Sequence, residues 1–240
     1  MTWSIVARDP ASGQFGVAVA SKFFAVGALC AHTRRAVGAL STQALMNPLY
    51  GAACLNLLQE GLTAQQALDH VVAADAGRDQ RQLHVLGASG AGAAHTGKNC
   101  VDWCGHAVYE NFSVAGNMLA GPQVLAATAD AFEKSAGLPL AERLLAAMAA
   151  GDAAGGDKRG KQSASLRIHG DEDYVQLDLR VDDHVEPILE LHRLYQLSQE
   201  RFQAFVSCLA GRHDPAGLIE RPEIDARIAR FLAERAASKG

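Results

Sequence analysis

From the second residue onward, apolar and polar side chains alternate. Trp3, Ile5 and Ala7 fall on one face of an extended segment, and Ser4, Val6 and Arg8 on the other. That period predicts a strand over Thr2 to Arg8. Asp9-Pro10-Ala11-Ser12-Gly13 is turn chemistry, because proline pre-sets φ and glycine accepts positive φ. Phe15 to Ser21 is a short apolar run suited to a buried strand, so a hairpin is expected at the start of the chain. Termini normally fray, and one that begins inside a sheet needs something to tether it.

The pattern continues with a strand over Ala36 to Ala44, ended by Asn47-Pro48, and a helix from Pro48 through Gly61. Thr63 and Gln66 form a capping-box signature at the head of the next helix, TAQQALDHVVAAD. Gln82 to Ala94 reads as two strands around a Gly87–Gly92 turn, and Ala107 to Met118 as one strand. Helices are expected over Gln123 to Lys134 and Leu140 to Ala150, where apolar residues recur at helical spacing. A glycine-rich loop, GDAAGGDKRGKQ, then leads into strands over Ser163 to Ile168 and Tyr174 to Arg180. The tail from Val185 is helical, broken near Gly211 to Gly217 and closed by a helix over Ile224 to Ala236. Helix pairs segregated between hairpins suggest sheets stacked face to face with helices outside, rather than a parallel sheet with single crossovers.

Composition narrows the function classes. The 240 residues fit a single domain, with a helical extension over about 185–240. Hydrophobic residues make up 49% and charged residues 20%, enough apolar material for a core. A net charge of −4 with scattered Lys and Arg gives no reason to expect nucleic acid. No apolar run is long enough to span a bilayer, and the start lacks a secretory signal. Five cysteines are an odd count in a chain large enough to fold without staples, so free thiols in a reducing cytoplasm are expected. No nucleotide-binding loop follows a strand, and no cofactor is expected. The expected partner is a small-molecule or peptide-like substrate. Leu189, Leu194, Leu197 and Phe205 exceed what the main core needs, which predicts a homo-oligomer, a dimer first.

Six ordered segments, TWSIVARDP, FGVAVASKFFAVGA, STQALMNPLYG, TGKNCVDWCGH, SVAGNMLAGP and GGDKRGKQSASL, resemble the domain of unknown function 1028 family. That family belongs with the N-terminal-nucleophile hydrolase-like proteins. The resemblance runs from Thr2 to about Ser165, with a looser continuation. It implies an α/β fold of the α+β type, a four-layer αββα sandwich consistent with the element order. It also implies a chemistry in which the first residue of the mature chain attacks a carbonyl and its own α-amine is the general base. An amine with an ordinary pKa of about 7.7–8.0 is partly neutral near physiological pH. Removal of Met1 makes Thr2 that residue.

Around it the candidates are as follows. Lys22 closes the second predicted strand; it either depresses the amine's pKa and stabilises charge near Thr2, or is a strand-end surface lysine. Gln43 and Ala44 end a strand ahead of a helix, where backbone N–H groups can form an oxyanion hole, and Gln43 and Asn47 are expected to contact substrate. Asn117 either holds the substrate carbonyl or bridges a turn. Asp157, Arg159, Gln162 and Ser163 suit binding of a carboxylate or amide, a solvated loop being the alternative. The catalytic set is thus Thr2, Lys22 and Asn117, and the binding set Gln43, Asn47, Asp157, Arg159 and Gln162. Cys100, Cys104 and His106, with His95 nearby, raise zinc. Their C-x3-C-x-H spacing is loose, and Cys104 stands where the resemblance places a small residue, so no metal site is expected. An amidohydrolase using Thr2 leads. A non-catalytic ligand-binding protein on the same fold and a metal-dependent hydrolase centred on Cys100 and His106 are the alternatives.

Overall fold

A computed structural model describes residues 2–237 of the chain. Two compact units divide it, Met1–Leu191 and His192–Gly240.

The first unit holds two antiparallel sheets. β1 (Thr2–Arg8) and β2 (Phe15–Ser21) form the expected hairpin. They lie at the middle of a six-stranded sheet with β7 (Gly105–Tyr109), β8 (Phe112–Asn117), β9 (Ser163–His169) and β10 (Leu177–Val181), in the order β10-β9-β2-β1-β8-β7. The second sheet runs β3 (Ala31–Arg34), β4 (Gly38–Ala44), β5 (Arg81–Gly87), β6 (Gly92–Thr96). The two sheets face each other, and β1 and β2 pack on β4. Val6, Phe15 and Val17 of the first sheet meet Ala31, Ala39 and Leu86 of the second in a common buried cluster.

Helices cover the outer faces. α2 (Leu49–Gln59) and α3 (Ala64–Ala73) pack on the second sheet, where Tyr50, Cys54, Leu55, Leu68 and Val71 meet Leu40, Leu83 and Val85. Each fully buried large aliphatic side chain of this kind contributes about 1.5–3 kcal/mol. The capping box at α3 is present in both directions. α4 (Gln123–Lys134) and α5 (Leu140–Ala153) pair with each other and lie on the six-stranded sheet. Gly151 lets α5 approach β1: a β-carbon there would collide with Thr128 Oγ1 and stand 2.7 Å from Trp3 Nε1. A short helix, α1 (Gly27–Cys30), precedes β3.

The structure departs from the expected pattern at 27–34, where α1 and β3 lie, and at 107–118. Ala107 to Met118 is a hairpin, not one strand. Its turn residue Asn111 adopts φ 64°, a left-handed conformation that Asn tolerates, and Tyr109 stacks on Phe112 across the turn with ring centroids 4.4 Å apart. The apolar run hides the turn because both arms pack. β3 was not expected either; its four residues are too few to show a period.

α6 (Pro187–Ser198) spans the boundary between the units. The second unit adds α7 (Phe202–Val206) and α8 (Arg221–Ala237), with the expected break at 211–217 between them. Leu189, in the first unit, is exposed; in the second, Leu197 and Phe205 are exposed and Leu194 is half-buried. Among the described residues no helix is long and apolar enough to cross a membrane.

Candidate active site

Because side chains alternate along a strand, residues in register across a sheet share a face. At one end of the six-stranded sheet that face carries a polar row: Asn117 on β8, Thr2 on β1, Ser21 on β2 and Ser163 on β9. All four are buried, Thr2 at 2% exposure. The Thr2 hydroxyl donates to Ser21 Oγ at 3.2 Å. Facing the row from the second sheet are Gln43 on β4 and Gln82 on β5, adjacent in register. Gln43 Nε2 donates to the Thr2 carbonyl at 3.4 Å and to Gln82 Oε1 at 2.8 Å. Asn117 Nδ2 donates to the same Gln82 oxygen at 3.0 Å.

Two backbone carbonyls fix the polarity of this network. Gln82 Nε2 lies 3.0 Å from Gly105 O and 2.9 Å from Gly116 O, and carbonyls only accept. The Gln82 oxygen must therefore face Gln43 and Asn117, which must present their NH2 groups. Gln43 Oε1 is then left to accept from Ser4 Oγ at 2.6 Å and Ser41 Oγ at 3.2 Å. With its proton committed, Ser4 can only accept from His84 Nε2 at 2.8 Å. His84 Nδ1 is bare and accepts from Ser113 Oγ at 2.9 Å. The imidazole is neutral, with its proton on Nε2. Asn117 keeps its second N–H without a protein acceptor among the described residues.

Burial, reinforced by His106, pushes the pKa of His84 down to about 3. The unfolded chain takes up a proton below its ordinary value of about 6.5, and the folded chain does not. Stability contributed by neutral His84 is thus complete above about 6.5 and lost as pH falls toward 3. Between pH 7 and pH 5 His84 alone is expected to lower the unfolding free energy by about 2 kcal/mol. Urea unfolding at the two pH values measures the drop. A His84→Gln variant should show a smaller drop than the parent; an equal drop would place the titration elsewhere, at His32, His106 or His169, which burial also shifts downward.

One loop arches over the start of β1. Lys158 N–H donates to the carbonyl of Met118, the residue after Asn117, at 3.3 Å. The Asp157 carboxylate accepts the Lys22 N–H at 3.0 Å, and Gln162 N–H donates to Ser21 O at 2.9 Å. Residues 157–162 therefore run from the end of β8 to the end of β2, past Thr2 between them. The Asp157 side chain is fully buried and also holds the Arg159 N–H at 2.9 Å and its guanidinium at 3.3 Å. Gly155, Gly156 and Gly160 turn this segment at positive φ.

The structure thus brings Thr2, Gln43 and Asn117 together, with Asp157 beside them. Lys22 is a correction. It follows the last residue of β2, and its exposed ammonium reaches the Lys161 carbonyl at 3.4 Å rather than Thr2. The Gln43 side chain, not only the backbone at its strand end, engages Thr2. Asn47 serves α2 instead: its Oδ1 accepts from Leu49 N–H, and its Nδ2 donates to Asp75, which also binds Tyr50 and Arg81. Arg159 pairs with Asp157, and the Gln162 side chain donates to Asp183 at 2.9 Å, outside the polar row. Ser21 stands beside Thr2, as pairing of the first two strands implies, and Ser4, Gln82, His84 and Ser113 are further members that the sequence did not single out.

The zinc alternative finds no geometry. Cys100 Sγ donates to Arg81 O, Cys104 Sγ to Cys100 O, and His106 Nδ1 faces Thr96 Oγ1 at 2.8 Å. Among the described residues no three His, Cys, Asp or Glu side chains converge as ligands would. Burial raises the pKa of Cys100 and Cys104, which disfavours the thiolate that a metal or a nucleophilic role requires. Strand ends next to Gln43 and Asn117 carry backbone outliers: Ala44 at φ 67° and Met118 at φ 53°, both non-glycine. Such conformations cost on the order of 1–3 kcal/mol each and cluster at functional sites.

Fold and site together define an α/β protein with two facing antiparallel sheets and a buried polar row at the head of its central strand. The sequence profile of a family described as a family of unknown function, DUF1028, matches residues 2–191, the extent of the first unit, and the chain belongs to that family. Protein SPO2555 from Silicibacter pomeroyi, a DUF1028 protein of solved structure, is similar at a TM-score of 0.85 and 30% identity, covering 92% of this chain and 96% of that one. Anbu, an ancestral β-subunit from Yersinia bercovieri, aligns at a TM-score of 0.39 and 12% identity over 82% of this chain and 94% of that one, too distant to carry an argument. No curated protein matches significantly.

Proposed function

We propose that the first unit is a four-layer αββα sandwich of the N-terminal-nucleophile type, and that Thr2 hydrolyses a small amide or short peptide-like substrate. Removal of Met1, which lies outside the described residues, frees the Thr2 amine. The observation that carries this reading is the placement of the Thr2 hydroxyl at the head of a central strand, in register with an Asn117 amide that has an N–H to spare. In the proposed reaction the amine takes the hydroxyl proton as Oγ1 bonds to the acyl carbon. The Asn117 N–H donates to the resulting oxyanion, and Gln82 holds that amide in place. The C–N bond then breaks, and the leaving nitrogen receives the proton held by the amine. Water, deprotonated by the same amine, hydrolyses the Thr2 ester. Substrate must reach a threonine that is 2% exposed, and the positive-φ glycines 155, 156 and 160 are where the arch can bend.

The test is a screen of small amides and short peptides with a pH–rate profile. The reading expects hydrolysis whose rate rises through the pKa of the free amine. A non-catalytic binding protein is the second reading, favoured by the burial of Thr2. Purified protein that retains Met1 and binds amides without turnover supports it.

A further inference from the structure

The arch over Thr2 is rich in cations that differ in how they are satisfied. Arg159 pairs with Asp157 at 3.3 Å. Lys161 lies 2.6 Å from both Asp152 and Glu186. Lys22 and Lys158 have no such partner: their ammonium groups reach only the carbonyls of Lys161, at 3.4 Å, and of Asp102, at 2.8 Å. Neither meets a carboxylate among the described residues, and both are exposed. A carbonyl carries only a partial charge, and a carboxylate that displaces it makes the stronger, charge-assisted bond.

Their placement gives the vacancy meaning. Lys22 directly follows Ser21, and the Lys158 N–H binds Met118, which directly follows Asn117. Ser21 and Asn117 are the two residues that flank Thr2 in the polar row. The unpaired lysines therefore stand one residue outside the row, on either side of the threonine. Asp157 fixes the arrangement, since its buried carboxylate holds the Lys22 N–H and the Arg159 N–H on either side of Lys158. The same carboxylate neutralises Arg159, which leaves the two lysines as the free positive charge of the arch.

We infer that the substrate carries a carboxylate, and that Lys22 and Lys158 bind it at the mouth of the Thr2 site. The inference rests on the reading of Thr2 as the reacting residue, and it assigns the lysines to binding rather than chemistry. Binding to a Thr2→Ala protein separates the two. The probes are matched pairs, N-acetylglycine against N-acetylglycinamide and succinamate against succinamide, titrated by calorimetry or NMR. At least one carboxylate should bind about tenfold or more tightly than its uncharged partner, and that preference should shrink with added salt. Adding Lys22→Ala and Lys158→Ala should abolish the preference, whereas Lys98→Ala, an exposed lysine paired with Asp79, should leave it intact. Equal affinity within each pair, a preference that survives loss of both lysines, or no binding at millimolar concentration overturns the inference. If the preference holds while unmutated protein cleaves none of the probes, the carboxylate site stands and the hydrolytic reading is the one that suffers.

Discussion

Thr2→Ala is expected to reduce amide turnover by three orders of magnitude or more, on the order of what loss of a nucleophile costs elsewhere, while leaving the fold intact. The methyl group of Ala fits the space of Thr, and the hydrogen bond lost is the one to Ser21 Oγ at 3.2 Å. Its removal should cost about 1 kcal/mol, so unfolding curves of parent and variant should nearly coincide. Thr2→Ser should retain measurable turnover, because hydroxyl and amine both survive. Steady-state rates for the three proteins on any amide the parent cleaves check this ordering. Full activity in Thr2→Ala would move the chemistry away from β1 altogether.

Gln82→Leu is expected to be far more destabilising. One side chain there satisfies Gln43, Asn117 and the carbonyls of Gly105 and Gly116, all between the sheets. Leucine offers none of these bonds, and each buried group left unsatisfied costs about 1–3 kcal/mol. A loss of roughly 4 kcal/mol or more is expected, a large share of the ~5–15 kcal/mol that holds a typical domain together. Gln82→Glu is the sharper test of polarity. It keeps size and shape but sets a carboxylate oxygen against two carbonyls, so it should be at least as damaging as leucine. Denaturant unfolding of both variants decides it. A well-tolerated glutamate would mean that the network runs in the opposite sense.

The same residues show what was legible in the sequence and what was not. The hairpin of β1 and β2, the capping box of α3 and the bounds of α4 followed from local chemistry that acts within a few residues. Thr2, Gln43 and Asn117 were placed at strand ends, and strand ends are where the polar row lies. Gln82 and His84 were missed for a physical reason. They alternate with Leu83 and Val85, and such a strand ordinarily turns its polar face to water. Here that face meets the other sheet, and both residues are fully buried. Only the partners across the gap, Ser4 and Ser113 for His84 and Gln43 and Asn117 for Gln82, make burial affordable, and no spacing along the chain shows them. Lys22 was misplaced by the opposite fault. Its position in the chain is next to the row, but its exposed ammonium reaches the Lys161 carbonyl rather than Thr2, and its backbone N–H is held by Asp157.

The central claim is that Thr2 bears a free amine and a reactive hydroxyl. Mass spectrometry of the N-terminal peptide after treatment with a β-lactone tests it most directly, since ring opening by Oγ1 adds the whole lactone mass as an ester. The account predicts a peptide that begins at Thr2, lacks Met1 and carries that added mass on Thr2, with no adduct in Thr2→Ala. A peptide that retains Met1 and is unmodified, or an adduct on another residue in a protein that hydrolyses amides, would contradict it.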